Sequence, residues 1–241
     1  MIEGVVFDLD GVLIDSEETW DAAREQLVRE HGGRWHDRAQ RDMMGMSSLE
    51  WSRYIHEELR VAEPPEEISA EVVRRMESLY RERLPLAPGA RESVERLAAR
   101  WPLAVASSSN RELIDLVLEL SGFDRLFAAT VSSEEVAHGK PAPDVYLEAA
   151  RELGIAPERA AAVEDSHNGI LAARAAGMRV LALPNPAFPP GEEALAAADV
   201  VLGSLDELTA ELVDRPVTLP RVRRAKSQAR TQGALMSSQD A

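Results

Sequence analysis

Hydrophobic residues are distributed along this chain in two successive patterns. Residues 17–84 have helix-forming composition throughout, and no strand-like run interrupts them. From residue 90 onward, helical segments alternate with short apolar runs such as Leu103–Ala106 and Ala160–Val163. Strands that alternate with helices are typical of a parallel sheet with helices on both faces, so the sequence predicts an α/β fold.

The two patterns predict a sheet that is interrupted by a helical insertion. A first strand at 3–7 precedes the helical region, and the other strands follow it. The helical region is expected to contain helices at 17–30, 47–59 and 66–83, separated at glycines and prolines. The remaining strands are expected at 103–106, 126–131, 160–163, 178–183 and 199–202, and the remaining helices at 90–100, 111–121, 144–153, 168–176 and near 205–212.

This arrangement predicts a Rossmann-like parallel-sheet core, formed by 1–15 and 86–212, with an inserted all-helical cap at 16–85. Ligands of open α/β sheets bind at the carboxyl ends of the strands, so the cap is expected to cover the site. Its hinges should lie where the chain enters and leaves the cap. From residue 213 the composition changes, and 213–241 is predicted to be a disordered basic tail.

Composition and charge limit the possible partners. The chain has 241 residues, with 27 basic against 42 acidic ones, and residues 213–241 alone hold six of the basic residues against two acidic ones. The body before residue 213 therefore repels nucleic acid and anionic membranes, and we expect neither as a partner. The absence of cysteine excludes disulfides and thiolate chemistry. Without a signal or membrane-span pattern, a cytoplasmic monomer or homodimer is expected.

The most informative segment directly follows the first strand. The apolar run Val5–Phe7 ends at Asp8, and Asp10-Gly11 follows after one intervening residue. Carboxylates at the end of a buried central strand are costly unless a cation or a reaction compensates for them. An acidic loop after an edge strand is the alternative interpretation.

Three more polar clusters stand where predicted strands end. Ser107-Ser108-Ser109-Asn110 could cap a helix, bind a phosphate oxygen, or do both. Lys140 is one of only two lysines in an arginine-rich chain. A lysine where arginine is the usual basic residue suggests that a compact point charge is needed there, and this interpretation is favoured over that of a solvated loop residue. Glu164-Asp165 could cap the next helix or complete an oxygen-rich Mg²⁺ site with the first two aspartates.

Together these groups provide what phosphoryl transfer through an aspartyl-phosphate requires. Asp8 would attack phosphorus while Mg²⁺ and Lys140 offset the negative charge. Asp10 would protonate the leaving oxygen and then activate water to cleave the acyl-phosphate.

The four motifs, in this order and each at a strand end, resemble those of haloacid dehalogenase superfamily hydrolases, in subfamily IA with a helical cap, similar to β-phosphoglucomutase and phosphoglycolate phosphatase. The resemblance covers about residues 1–210. It implies that Asp8 is the nucleophile and Asp10 the acid and base. It implies that Ser107 and Lys140 bind the phosphate group of the substrate, and that Ser108, next to Ser107, contributes to the same site. It also implies a Mg²⁺ site made by Asp8, the Asp10 carbonyl and Asp165, with Glu164 included as the adjacent acid.

Differences between this sequence and the patterns of particular branches of the superfamily reduce the number of reactions to consider. Dehalogenases of this superfamily lack the second carboxylate, so Asp10 favours phosphoryl chemistry. Phosphonate-cleaving relatives need a cap lysine, and residues 15–85 contain none. Relatives that are β-phosphoglucomutases carry a histidine where Trp20 stands and a basic residue where Ser48 follows Gly45-Met46-Ser47.

We therefore expect a Mg²⁺-dependent phosphatase that acts on a small phosphate monoester of a sugar, a polyol or glycolate. A β-phosphoglucomutase-like mutase is the alternative, and a non-catalytic protein that binds a phosphorylated ligand is a third possibility. One group of residues could either recognise the leaving group or simply pack the helices: Trp20, Met43, Met44, Met46, Trp51 and Tyr54.

Overall fold

A six-stranded parallel sheet organises the computed structural model, which describes residues 1–44 and 46–215. The strand order is β3-β2-β1-β4-β5-β6, and every neighbouring pair is parallel. The predicted α/β parallel-sheet fold is therefore confirmed. The strands are β1 (Gly4–Phe7), β2 (Leu103–Ser107), β3 (Phe127–Ser132), β4 (Ala160–Glu164), β5 (Arg179–Ala182) and β6 (Val200–Val201).

The central strand β1 sets the position of the polar clusters. Its four residues are all buried, as expected for a β-branched and aromatic run between two partner strands. Phe7 is in register with Val105 of β2 and with Val163 of β4. The residues that follow these three strands therefore emerge side by side at one edge of the sheet.

Helices cover the sheet and form the segment between β1 and β2. They are α1 (Glu17–Glu30), α2 (Ala39–Met43), α3 (Ser48–Glu57), α4 (Pro65–Glu82), α5 (Ala90–Ala98), α6 (Arg111–Ser121), α7 (Asp144–Leu153), α8 (His167–Ala175), α9 (Glu192–Ala197) and α10 (Ala210–Asp214). No strand lies in the described part of the α1–α4 region, although an isolated bridge joins Ile14 to Leu86 at its base.

The chain enters and leaves the α1–α4 region at adjacent points. The Asp15 amide donates a hydrogen bond to the Pro85 carbonyl at 2.8 Å, and the Ala87 amide donates to the Leu13 carbonyl at 2.9 Å. These contacts lie where the hinges of the cap were predicted. The division of the chain into a core and a mobile cap stays a prediction.

Two short helices, α2 and α9, were not predicted from the sequence. Each has six residues or fewer, which is too short to show a helical period. The helix predicted near 205–212 is instead a 3₁₀ turn at Leu205–Glu207 followed by α10.

The predicted start of the tail at residue 213 is wrong. Val213 is fully buried, and the Asp214 carboxylate accepts a hydrogen bond from the Ile2 amide and pairs with Arg100 at 2.6 Å. The rest of the predicted tail, 216–241, lies outside the described residues, as does Gly45 of the Gly-apolar-Ser segment.

The hydrophobic core lies on both faces of the sheet. Val5 and Phe7 of β1 pack into one cluster and Val6 into the other, because alternate residues of a strand point to opposite faces. On the second face, the alanines of β4 leave room for Tyr146 of α7, which is completely buried. Among the described residues, no helix combines the length and the apolar character needed to cross a membrane.

Candidate active site

A buried lysine joins two of the strand-end clusters. Lys140 Nζ donates to Asp8 Oδ1 at 2.8 Å and to Glu164 Oε1 at 2.6 Å. The lysine is only 6% exposed, so the alternative of a solvated loop residue is wrong. Burial by itself lowers the pKa of Lys140, but the carboxylates of Asp8 and Glu164 outweigh it and hold that pKa above its usual value.

Glu164 holds this arrangement in place. Besides Lys140, its Oε1 accepts from the Tyr146 hydroxyl at 3.0 Å, and its Oε2 accepts from the Ser166 amide at 2.8 Å and hydroxyl at 3.0 Å. A Cβ at Gly169, in the first turn of α8, would lie 1.5 Å from Glu164 Oε1, so glycine is needed there. Both oxygens of the buried carboxylate are therefore occupied, and they fix the lysine relative to the sheet.

Three carboxylates form the acidic centre of the site. Asp8, Glu164 and Asp165 are all buried, and one oxygen of each lies within 4.8 Å of the others. Burial, followed by the charges of Glu164 and Asp10, raises the pKa of Asp8 to about 8 even though Lys140 lowers it. Burial and the charges of Glu164 and Asp8 also raise the pKa of Asp165 well above its ordinary value.

This donor set fits Mg²⁺. Lys140 pairs with only two of the three buried carboxylates, so the residues of the site cannot by themselves balance three ionised acids. A divalent cation would offset that charge, and a set made only of oxygens suits a hard cation. Because hydrogen bonds already occupy both oxygens of Glu164, Asp8 and Asp165 are the better candidates for direct ligands.

Asp10 faces the helices rather than this acidic centre. Its Oδ1 accepts from the Ser16 hydroxyl at 2.6 Å and from Trp20 Nε1 at 2.9 Å, and its Oδ2 accepts from the Ser109 hydroxyl at 2.6 Å. The Asp10 side chain is not part of the group formed by the other three carboxylates. The two motif aspartates therefore occupy different surroundings, which suits two different chemical roles.

The serine cluster differs in one respect from the expectation. Ser107 is completely buried, and its hydroxyl accepts from the Ser109 amide at 3.0 Å and lies 3.5 Å from Asp10 Oδ2. Ser108 and Ser109, rather than Ser107, line the cavity beside Asp8. The contact of Ser109 with Asp10 was missed, because a run of three serines does not reveal which hydroxyl turns towards the site.

A cavity of about 70 Å³ separates this edge of the sheet from the α1–α3 region. Five of the predicted leaving-group residues line it, whereas the Tyr54 hydroxyl donates to Asp42 instead. Glu17 and Arg24 were missed by the sequence analysis although both face the cavity. A signal was present, because Arg24 stands within the buried stripe of α1. The residues on this side are Glu17, Trp20, Arg24, Met43, Met44, Met46 and Trp51.

The hydrogen bond from Trp20 to Asp10 provides a test of the site. We expect Trp20→Phe to lower kcat about 10-fold, because one of the donors that fix the Asp10 carboxylate is lost. The matched control is Trp101→Phe, which removes an indole bond to the Ile2 carbonyl, far from the cavity. Steady-state kinetics of both variants check this, and equal losses would contradict the role of Trp20 in positioning Asp10.

Comparison with known proteins gives consistent matches. A family model described as haloacid dehalogenase-like hydrolase matches residues 2–177. Hexitol phosphatase B of Escherichia coli is 35% identical over 217 residues, which covers 87% of this chain and 96% of that protein. Phosphorylated carbohydrates phosphatase of Thermotoga maritima is 29% identical, covering 86% of this chain and 96% of its own. The crystal structure of CbbY from Rhodobacter sphaeroides in complex with xylulose-(1,5)bisphosphate has a TM-score of 0.77 at 30% identity, covering 86% of this chain and 96% of that one.

Proposed function

Because the chain belongs to the haloacid dehalogenase-like hydrolases, we propose that it is a Mg²⁺-dependent phosphatase that hydrolyses small phosphate monoesters through an aspartyl-phosphate on Asp8. The observation that carries the proposal is the buried Lys140 bridge between Asp8 and Glu164, which faces the same cavity as Asp10. The relatives named above support small phosphate esters as substrates.

In the first half of the reaction, an Asp8 carboxylate oxygen attacks phosphorus and the bond to the leaving oxygen breaks. Asp10 donates a proton to that oxygen as it leaves. Lys140 and the hydroxyl of Ser108 hold the phosphoryl oxygens at the cavity. Asp8, Asp165 and the Asp10 carbonyl would hold Mg²⁺, which would supply positive charge against the phosphoryl group.

In the second half, Asp10 takes a proton from a water molecule, and the water oxygen attacks phosphorus. The acyl-phosphate bond breaks, phosphate is released, and Asp8 is regenerated as a carboxylate. Ser16, Trp20 and Ser109 keep Asp10 in one position for both steps, because they donate to both of its oxygens.

The mutase alternative has less support. The indole nitrogen of Trp20 can only donate a hydrogen bond, and here it donates to Asp10. Ser48, which stands where the mutases have a basic residue, is 4% exposed and carries no charge. The curated relatives described above are named as phosphatases. A monomeric or homodimeric state and a cytoplasmic location stay predictions.

Phosphate release from a panel of sugar, polyol and small-acid monoesters tests the proposal. We expect release with Mg²⁺, a fall of at least about 100-fold in EDTA, and recovery when Mg²⁺ is restored. The panel includes β-glucose 1-phosphate with a trace of bisphosphate. Isomerisation without release would indicate a mutase, and no turnover of any ester would indicate a non-catalytic binding protein.

A further inference from the structure

The wall of the cavity that the α1 helix forms contains a buried arginine. Arg24 is 6% exposed, and its guanidinium carbon lies 4.5 Å from the ring centroid of Trp20 and 4.8 Å from that of Trp51. The two indole rings hold the cation in place through cation–π contacts. Arg24 also lines the cavity, so a ligand in the cavity meets a guanidinium group in a fixed position.

One donor of Arg24 has no match in the described part of the protein. Among the described residues, its Nε is buried without a hydrogen-bond partner, and no carboxylate lies within 4.0 Å of the guanidinium. Burial lowers the pKa of Arg24 to about 10, although Glu17, Asp10 and Asp21 raise it. A buried, unmatched donor is costly unless a ligand satisfies it.

Glu17 contributes an acceptor to the same cavity. Gln40 Nε2 donates to its Oε2 at 3.0 Å and so fixes the carboxylate. Burial, and then the charge of Asp10, raises the pKa of Glu17 to about 7. Glu17 and Arg24 both face the cavity without forming an ion pair within 4.0 Å. A hydroxyl group both donates and accepts, so a molecule with several hydroxyls can satisfy both side chains.

The charge around Arg24 argues against an anionic ligand at this end of the cavity. The acids that act on Arg24 are Glu17, Asp10 and Asp21. A second phosphate or a carboxylate that approached Arg24 would be repelled by Asp10, by Asp21 and by the ionised form of Glu17, whereas a neutral ligand would not. Apolar side chains of Met43 and Met46 line the cavity nearby and can contact the carbon chain of such a ligand.

We infer that Glu17 and Arg24 bind the hydroxyl groups of an uncharged, polyhydroxylated leaving group, so that the enzyme selects sugar or polyol monophosphates over bisphosphates and phosphoglycolate. The inference rests on the proposed phosphatase function. It assigns the α1 side of the cavity to substrate selection and leaves the chemistry to the strand ends.

The test compares substrates that differ only in the leaving group. Glu17→Gln and Arg24→Lys are assayed with sorbitol 6-phosphate and with 4-nitrophenyl phosphate, whose leaving group has no further hydroxyl. With sorbitol 6-phosphate we expect kcat/KM to fall about 10- to 100-fold, mainly through KM. With 4-nitrophenyl phosphate we expect a loss below about threefold. The Glu17→Gln variant should also raise the ratio of fructose 1,6-bisphosphate to sorbitol 6-phosphate turnover, because one repelling charge is removed.

Two exposed residues of the same helix provide matched controls. Glu18→Gln and Arg29→Lys repeat the chemical changes outside the cavity and should leave both substrates unaffected. Equal losses with both substrates, or no loss with either, would overturn the inference. A wild-type preference for the bisphosphate or for phosphoglycolate would overturn it too while leaving the phosphatase proposal intact. A wild-type protein that hydrolyses none of these esters would instead overturn the proposed function.

Discussion

Replacing Asp8 with asparagine is expected to lower kcat by about 10⁴-fold or more, because the amide cannot form the acyl-phosphate. We expect the substitution not to reduce the stability of the folded state. Burial and neighbouring acids raise the pKa of Asp8 to about 8, so at neutral pH the metal-free folded state must hold a proton that the unfolded state releases. Asparagine removes this penalty and can still accept the hydrogen bond from Lys140.

Phosphate release and thermal unfolding in EDTA at pH 7 measure both effects. We expect an inactive Asp8→Asn variant whose Tm equals or exceeds that of the wild type. Asp15→Asn is the matched control, because Asp15 belongs to the same segment but is exposed. Residual activity within 100-fold of the wild type would rule out Asp8 as the nucleophile. A clear fall in Tm would show that the ionised carboxylate stabilises the metal-free fold.

Replacing Lys140 with methionine is expected to damage both activity and stability. The variant leaves Asp8 and Glu164 buried without their shared cation, and breaking a buried ion pair in this way costs about 3 to 5 kcal/mol. We expect kcat to fall by about 10²- to 10³-fold, since a charge that offsets the phosphoryl oxygens is lost.

The loss of stability in the Lys140→Met variant should depend on pH in one direction. Lys140 lowers the pKa of Asp8, so its loss raises that pKa further above the ordinary value of 3.8. The wild type already holds this proton below about pH 8, so the two folded proteins differ in bound protons only above that pH. The Tm difference between Lys140→Met and the wild type, measured in EDTA, should therefore shrink as the pH falls towards about 8 and change little below it.

Lys226→Met, at the only other lysine, changes the net charge equally and serves as the control. A Tm difference that is constant with pH would show that lost packing, rather than unbalanced charge, destabilises the Lys140 variant.

The parts of the fold that the sequence predicted are those with a strong local pattern. Buried strands such as β1 and β4 read as apolar runs, and the predicted bounds of α1, Glu17–Glu30, agree with the structure. Four polar clusters at strand ends could be placed together because parallel strands end at a common edge. The structure brings Asp8, Lys140 and Glu164 into contact as that reasoning expects.

What the sequence did not reveal depends on geometry between elements. The hydroxyl of Ser109, rather than that of Ser108, bonds Asp10, and this depends on how the backbone turns after β2. Arg24 stood out only as a charge within the apolar stripe of α1, and the role of Glu17 became visible only when α1 was seen against the sheet. Val213 anchors α10 although the surrounding composition is typical of a tail.

The side-by-side entry and exit of the α1–α4 segment has a consequence for how such enzymes diversify. Because backbone hydrogen bonds join Asp15 to Pro85 and Leu13 to Ala87, the two ends of the segment stand next to each other. A segment with adjacent ends can be exchanged for another by recombination without altering the path of the sheet. Selection could then change which alcohol is released while the inherited phosphoryl-transfer machinery stays untouched.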